Sequence, residues 1–296
     1  MEGAARLEGE TLDPLARLVA VAVEPSSLSD TSSDGERLQR ALRPHLGEHR
    51  AYLSLPALVA LGPALRQGDG QVAVTLAEVD DVFWVVAVEA GEASGRCLGL
   101  AVDVGTTTVS MELLDLASGE SLGTSVAANG QRVFGADVTS RLMYAEKPGG
   151  LGELHQAVVT TLNALVGDLV EASGSGREEI RAMACAGNTI MAHLLLGLDP
   201  TAIRREPYVP VTRVFPTVRA RDIGLELADE VILYTLPAVS GYVGGDITAG
   251  LLATGIADQE ALSILIDIGT NGETALGNRE WLTACSGSAG SAFEGC

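Results

Sequence analysis

The chain has 296 residues, 47% hydrophobic and 20% charged, with a formal net charge of −20. This composition supplies a real core and excludes a disordered chain, and the negative field disfavours nucleic acid and anionic membrane surfaces as partners. The four cysteines, Cys97, Cys185, Cys285 and Cys296, are scattered without a C-x-x-C pair, which reads as a reduced, cytoplasmic protein and spells no metal or iron–sulfur site by itself.

Residues 1–15 are polar and unpatterned and read as a disordered tail, with no Lys/Arg-led apolar leader among them. Residues 16–95 read as a small α+β domain. It opens with a strand, "ARLVAVAVEP", ended by Pro25. A turn-rich loop follows, then a short helix "ERLQRALRPHL" with Leu38 and Leu42 on one face and Pro44 as its stop. A second helix, "LPALVALGPALRQ", is expected to break near Gly62-Pro63. Two strands cross a turn at Asp80-Asp81, and "AGEASGR" is a linker.

The texture changes at Arg96. "CLGLAVDVG" is a continuous apolar run, the mark of a buried strand. It leads into a hairpin turning at Ser118-Gly119. Two helices follow, and the second carries Leu154, Val158, Leu162, Leu165, Val166 and Leu169 on one face. Then come the strand "IRAMACAGN", a helix from about Asn188, the strand "VILYTLPAV" and the Gly-started helix "GGDITAGLLATG". "LSILIDIG" and a hairpin turning at Gly277-Asn278 begin the pattern again. The order is an α/β unit that starts to repeat, 98–260 and then 261–296. Every apolar run is too short to span a bilayer.

The repeat has a chemical counterpart. "DVGTTT" and "DIGTNGE" each place Asp, an aliphatic residue, Gly and a polar turn after an apolar strand. Glycine permits close backbone approach, and successive turn N–H groups make an anion-binding concavity. The Asp carboxylate repels phosphate, so its use there is to hold Mg²⁺ or the waters on it. Two such turns from facing halves would grip a phosphate chain from both sides. A single strand-end Asp-Gly is also an ordinary hairpin turn; duplication favours the phosphate reading. A P-loop is excluded, because Lys147 is the only lysine and Pro148 follows it.

These turns resemble the phosphate motifs of the acetate and sugar kinase, heat-shock chaperone and actin superfamily. The ordered set "AVDVGTTTV", "NGQRVFGADVTSRL", "AGNTIMAHLLLG", "PAVSGYVGGDITAG", "LIDIGTNGE" and "SGSAGSAFEG" resembles, more closely, the ATPase domain of the reductive activators of corrinoid proteins. The resemblance covers about 98–296, and 16–95 is similar to that family's middle domain. It implies an actin-like (ribonuclease H-like) ATPase fold with an incomplete second half. It also implies ATP and Mg²⁺ as cofactors, with ATP binding and hydrolysis driving one electron onto cob(II)alamin of a corrinoid protein or corrinoid-dependent methyltransferase. The family's electron donor is a ferredoxin-like domain with a two-iron two-sulfur cluster. No C-x₄-C-x₂-C pattern occurs here, so no cluster is expected in this chain, which looks like the middle of a longer polypeptide.

Asp103 is then the expected Mg²⁺-water ligand, with Gly105, Thr106 and Thr107 lining the phosphates. Asp267, Gly269, Thr270 and Asn271 do the same from the other side, with Asp267 a second metal ligand and Glu273 either behind them or solvated. Asp246 orients the attacking water or holds Mg²⁺, or is a plain N-cap; Asn188 is an N-cap or has a phosphate or partner role. Asn129, Gln131, Gly135, Asp137 and Arg141 form a polar cluster whose Asp137 and Arg141 read either as a surface ion pair at i, i+4 or as a contact across the cleft. His193 packs or caps. A small-molecule kinase of the same superfamily and a nucleotide-binding fragment without turnover remain the alternatives, a homodimer is kept open, and little ATPase activity is expected of this chain alone. Apolar surface is expected to stand bare near 262–285.

Overall fold

The computed structural model describes residues 12–79, 82–92, 95–269 and 271–288. Three sheets follow one another along the chain. In the first, β1 (Ala16–Ala22), β3 (Gln71–Val79), β4 (Val82–Ala90) and β2 (Ala51–Leu53) lie in that order, antiparallel except for β2 along β4. The sequence reading of this region lacked β2. The tail ends earlier than expected, since the Leu15 carbonyl accepts the Glu78 N–H at 3.1 Å and Leu15 packs beneath the sheet.

Both helices of this unit run on through prolines that were expected to interrupt them. α1 (Asp34–Leu46) is capped by the Ser33–Glu36 capping box and includes Pro44. Pro44 forfeits a single bond, to Arg40, in the last turn, and continuing buries Leu46. α2 (Leu55–Gln67) includes Pro63 and does not break at Gly62-Pro63. Its buried stripe, Ala57, Leu61, Ala64 and Leu65, straddles the proline, while the carbonyl deprived of an amide belongs to the exposed Val59. Packing on both sides of the proline outweighs the lost bond.

The second sheet has six strands in the order β7 (Ser121–Ala128), β6 (Thr108–Asp115), β5 (Leu98–Val104), β8 (Ile180–Ala186), β10 (Ile232–Thr235), β9 (Val218–Arg219). The three central strands β5, β8 and β10 are parallel, and the outer pairings are antiparallel. The buried face of α4 (Gly150–Ser173) covers this sheet with Leu154, Val158, Leu162, Leu165, Val166 and Leu169, the stripe read from spacing. α3 (Val138–Ala145) and α5 (Thr189–Leu195) complete the core. A small cluster including Ala77, Val86, Cys97, Ala182 and Ile232 joins this sheet to the first.

The third sheet is an antiparallel meander, β11 (Ser263–Ile268), β12 (Asn271–Gly277) and β13 (Leu282–Ser288). Its inner face meets α6 (Gly245–Thr254) through Leu265, Ala275, Val243 and Ile247. Its outer face carries Ile264, Ile266 and Ile268, at least 57% exposed. The architecture is α/β. No helix among the described residues is long and apolar enough to cross a membrane.

Candidate functional site

The site forms where three elements end at one point. β5 ends at Asp103-Val104, the turn 105–107 leads into β6, and β8 runs parallel so that Asp103 is in register with Ala186. The chain then crosses Gly187 to Asn188, the N-cap of α5. α6 begins against the same crossing: its Gly245 N–H donates to the Gly187 carbonyl at 2.9 Å. A Cβ on Gly244 would sit 2.4 Å from the Asn188 Cα, so only glycine admits this approach and sets Asp246 in the first turn of α6. The third sheet supplies the opposite wall. β11 and β12 place Asp267 directly across from Glu273, the side-chain alternation turning Asp267 inward while Ile266 and Ile268 face out.

These elements enclose a cavity of about 240 Å³ lined by both turns, including Asp103, Gly105, Thr106, Thr107, Asp246, Asp267, Gly269 and Glu273. Thr108 and Asn188 complete the lining. Thr270 lies outside the described residues, and only the backbone of Asn271, the first residue of β12, is described. Glu273 is not solvated: it is 6% exposed and accepts from the Ser286 hydroxyl at 3.0 Å. Ser286 to Ser288, the start of the motif "SGSAGSAFEG", belong to β13.

Asn188 caps α5 and also reaches the first turn. Its carboxamide oxygen caps the Met191 N–H at 2.9 Å, and its Nδ2 donates to the Thr106 hydroxyl at 3.1 Å. Asn129 Nδ2 donates to the Gly105 carbonyl at 2.8 Å. Arg141 is neither a surface ion-pair partner nor a group reaching across the cleft. It is fully buried and bonds the Gly135 carbonyl, Gln131 and the Thr106 carbonyl, while Asp137 caps α3 through the Ser140 N–H at 2.7 Å. The i, i+4 spacing was right; what it lacked was the core of the second sheet, which draws α3 inward on the Arg141 side. His193 is buried, its Nδ1 2.7 Å from the Thr189 carbonyl and its ring edge-on to Phe215.

The electrostatics of the cleft are one-signed. Among the described residues Asp103, Asp246 and Asp267 have no Lys or Arg ion-pair partner. Removal from bulk water between the cleft walls, with the charges of Asp246 and Asp267 added, raises the Asp103 carboxyl to about 6. Burial also raises Asp246, against an opposing hydrogen bond from the Ile247 N–H at 2.8 Å, and Asp267 adds to the rise. Carboxylates held apart from cations, beside hydroxyl-rich turns, form a donor set for a hard divalent ion. No three His, Cys, Asp or Glu side chains among the described residues converge tightly enough to hold a metal ion by themselves. A hard divalent ion held by these carboxylates would take its remaining ligands from outside the protein.

Comparison with known proteins places these features in a family. Residues 98–259 match the model of the RACo middle region, 5–95 that of the RACo linker region, and 261–296 that of the C-terminal domain of RACo, the ASKHA domain. The chain is 33% identical over 198 residues to the corrinoid activation enzyme RamQ of Eubacterium limosum, covering 67% of this chain and 33% of that protein. It is 28% identical over 213 residues to a Co(II) methylated amine-specific corrinoid protein reductase of Methanosarcina barkeri, covering 67% of this chain and 37% of that one. The fold superposes on a reductive activator for corrinoid, iron-sulfur protein with a TM-score of 0.92 and 40% identity, over 98% of this chain and 46% of that one. The chain thus spans between a third and a half of the length of these relatives.

Proposed function

The chain belongs to the RACo family, the reductive activators of corrinoid proteins, and on that premise we propose that its cleft binds Mg-ATP within an ATP-dependent activator that returns a Co(II) corrinoid protein to its reduced state. The observation that carries this reading is the convergence of both Asp-Gly turns and Asp246 on one 240 Å³ cavity. In this reading the N–H groups and hydroxyls of 105–107 hold phosphate oxygens on one side, and 269–271 hold them on the other. Asp103 and Asp267 hold the waters of Mg²⁺, which supplies charge neutralisation for the phosphates when bound. Asp246, raised by burial, takes a proton from the attacking water; a raised carboxylate is better matched to that task than a free one. The electron donor is a ferredoxin-like domain, the partner is a corrinoid protein or corrinoid-dependent methyltransferase, and the setting is the cytoplasm.

Hydrolysis by this chain alone is slow in this reading, because the described residues after 261 bring a single meander, β11 to β13, to the cleft and leave few opposed donors for a transition state. The test is calorimetric titration of Mg-ATP into the 296-residue chain beside its Asp103→Ala variant. Binding by the wild type and its loss in the variant are expected. A folded wild-type chain that takes up no Mg-ATP, or a variant that binds as well as the wild type, overturns the assignment.

A further inference from the structure

The carbonyl side of the first turn is gripped by one segment of chain. The Gly105 carbonyl accepts from Asn129 Nδ2 at 2.8 Å, the Thr106 carbonyl from Arg141 Nη2, and the Thr107 carbonyl from the Asn129 backbone N–H at 2.9 Å. In a trans peptide the N–H points opposite to the carbonyl. Holding three successive carbonyls on the 129–141 side therefore turns the next three N–H groups toward the cleft side, where residues 105–108 line the cavity.

Arg141 is the unusual member of this grip. Its guanidinium is fully buried, and no carboxylate among the described residues lies within ion-pair distance of it. Asp137 acts on it only as a field from the start of its own helix. Its contacts are neutral: the Gly135 carbonyl at 3.0 Å, Gln131 Oε1 at 3.1 Å, the Met191 sulfur at 3.1 Å and the Thr106 carbonyl. Burial lowers it to about 10, so it remains a cation at neutral pH. A buried charge lacking a partner is costly, and for stability alone an apolar side chain of similar volume would serve as well. The charge stands directly behind the turn, whose other side faces a cleft that carries the carboxylates of Asp103, Asp246, Asp267 and Glu273.

We propose that Arg141 is a positioning residue for phosphate: it fixes the Thr106–Thr107 peptide through its carbonyl, and its unpaired charge is completed by the bound anion rather than by a protein carboxylate. This rests on the nucleotide reading of the cleft. A hydrogen bond from a cation polarises the peptide it reaches, so the Thr107 N–H becomes the stronger donor on the far side. Gln131 controls the device, since a carboxylate there would neutralise the guanidinium from 3.1 Å, at the loss of the Gln131 Nε2 bond to the Leu154 carbonyl at 3.0 Å.

The experiment titrates Mg-ATP, and Mg-pyrophosphate as a phosphate-only probe, into the wild-type chain and Asp103→Ala, Arg141→Met, Arg141→Lys and Gln131→Glu, with circular dichroism and thermal melting on each. Arg141→Met is expected to weaken both probes by about tenfold or more, and Arg141→Lys to recover part of that loss, keeping the charge without the fork. Gln131→Glu is expected to stay folded and weaken both probes by about tenfold, the guanidinium now having a protein counter-charge. Wild-type affinity in folded Gln131→Glu, or equal losses in the Met and Lys variants, overturns the role of Arg141 while leaving the nucleotide reading intact. A wild-type chain that binds neither probe overturns both. Should Arg141→Met fail to fold, the Gln131→Glu and Arg141→Lys titrations decide.

Discussion

The two Asp-Gly turns sit on strands that are alike in sequence and opposite in burial. β5 carries Leu98, Leu100, Val102 and Val104, all 4% exposed or less, with β6 and β8 on either side and α4 over the sheet. β11 alternates instead: Leu265 and Asp267 turn toward α6 and the cleft, while Ile264 and Ile266 are each 57% exposed and Ile268 80%. The difference teaches what a strand motif specifies. The local run specifies extended backbone and the turn that follows. Whether one face or both are buried depends on what packs against the sheet: α4 lies on the Leu98–Val104 face of β5, whereas α6 meets the Leu265 face of β11 and leaves the isoleucine face uncovered among the described residues.

The comparison can be broken most forcefully in the core. Leu113→Ala in β6, fully buried, is expected to cost about 2–5 kcal/mol by chemical denaturation. Ile264→Ala on the bare face of β11 is expected to change stability by less than about 0.5 kcal/mol. Equal costs would mean that the outer face of β11 is covered in solution.

A middle-sized effect comes from the turn. A Cβ on Gly105 would lie 2.5 Å from the Thr108 carbonyl oxygen, a backbone atom with little room to move. Gly105→Ala is expected to cost about 1–3 kcal/mol and to weaken Mg-ATP binding along with it. A variant with wild-type melting temperature would show that the turn relaxes freely.

The smallest effect is electrostatic and depends on pH. Asp103 is raised from 3.8 to about 6 in the fold, so between these values the folded state binds more protons than the unfolded state, and this group's contribution to stability falls as pH rises. Asp103→Asn is therefore expected to stabilise the metal-free chain above pH 6, by about 1 kcal/mol at most given solvent screening in an open cleft. The gain shrinks as pH drops toward 4. Thermal melts across this range check it, and a gain independent of pH would assign the effect to something other than the three carboxylates.

Much of the fold was legible because its signals are local. Alternation located β1, β3 and β4, an unbroken apolar run located β5, and the three-and-four spacing of Leu154 to Leu169 located the buried face of α4. Pro44 and Pro63 misled because a proline's cost is local while the stripes of α1 and α2 gain burial across the whole core of the first unit. β2 escaped because a three-residue strand has no periodicity of its own and exists by pairing with β4.

By itself the sequence determined the two acidic turns and the residue types they present, since Asp, Gly and Thr after an apolar strand carry their conformational and chemical preferences wherever they stand. Only the tertiary structure decided that Asp246 joins them, that Glu273 is buried against Ser286, and that Arg141 lies behind the Thr106 carbonyl with no counter-ion among the described residues. These depend on how far apart segments of chain meet: Gly244 against Asn188, β12 against β13, α3 against the turn. The burial, desolvation and charge coupling that follow from such meetings belong to the packed molecule, which is why they shift the chemistry of residues whose identity alone is silent about it.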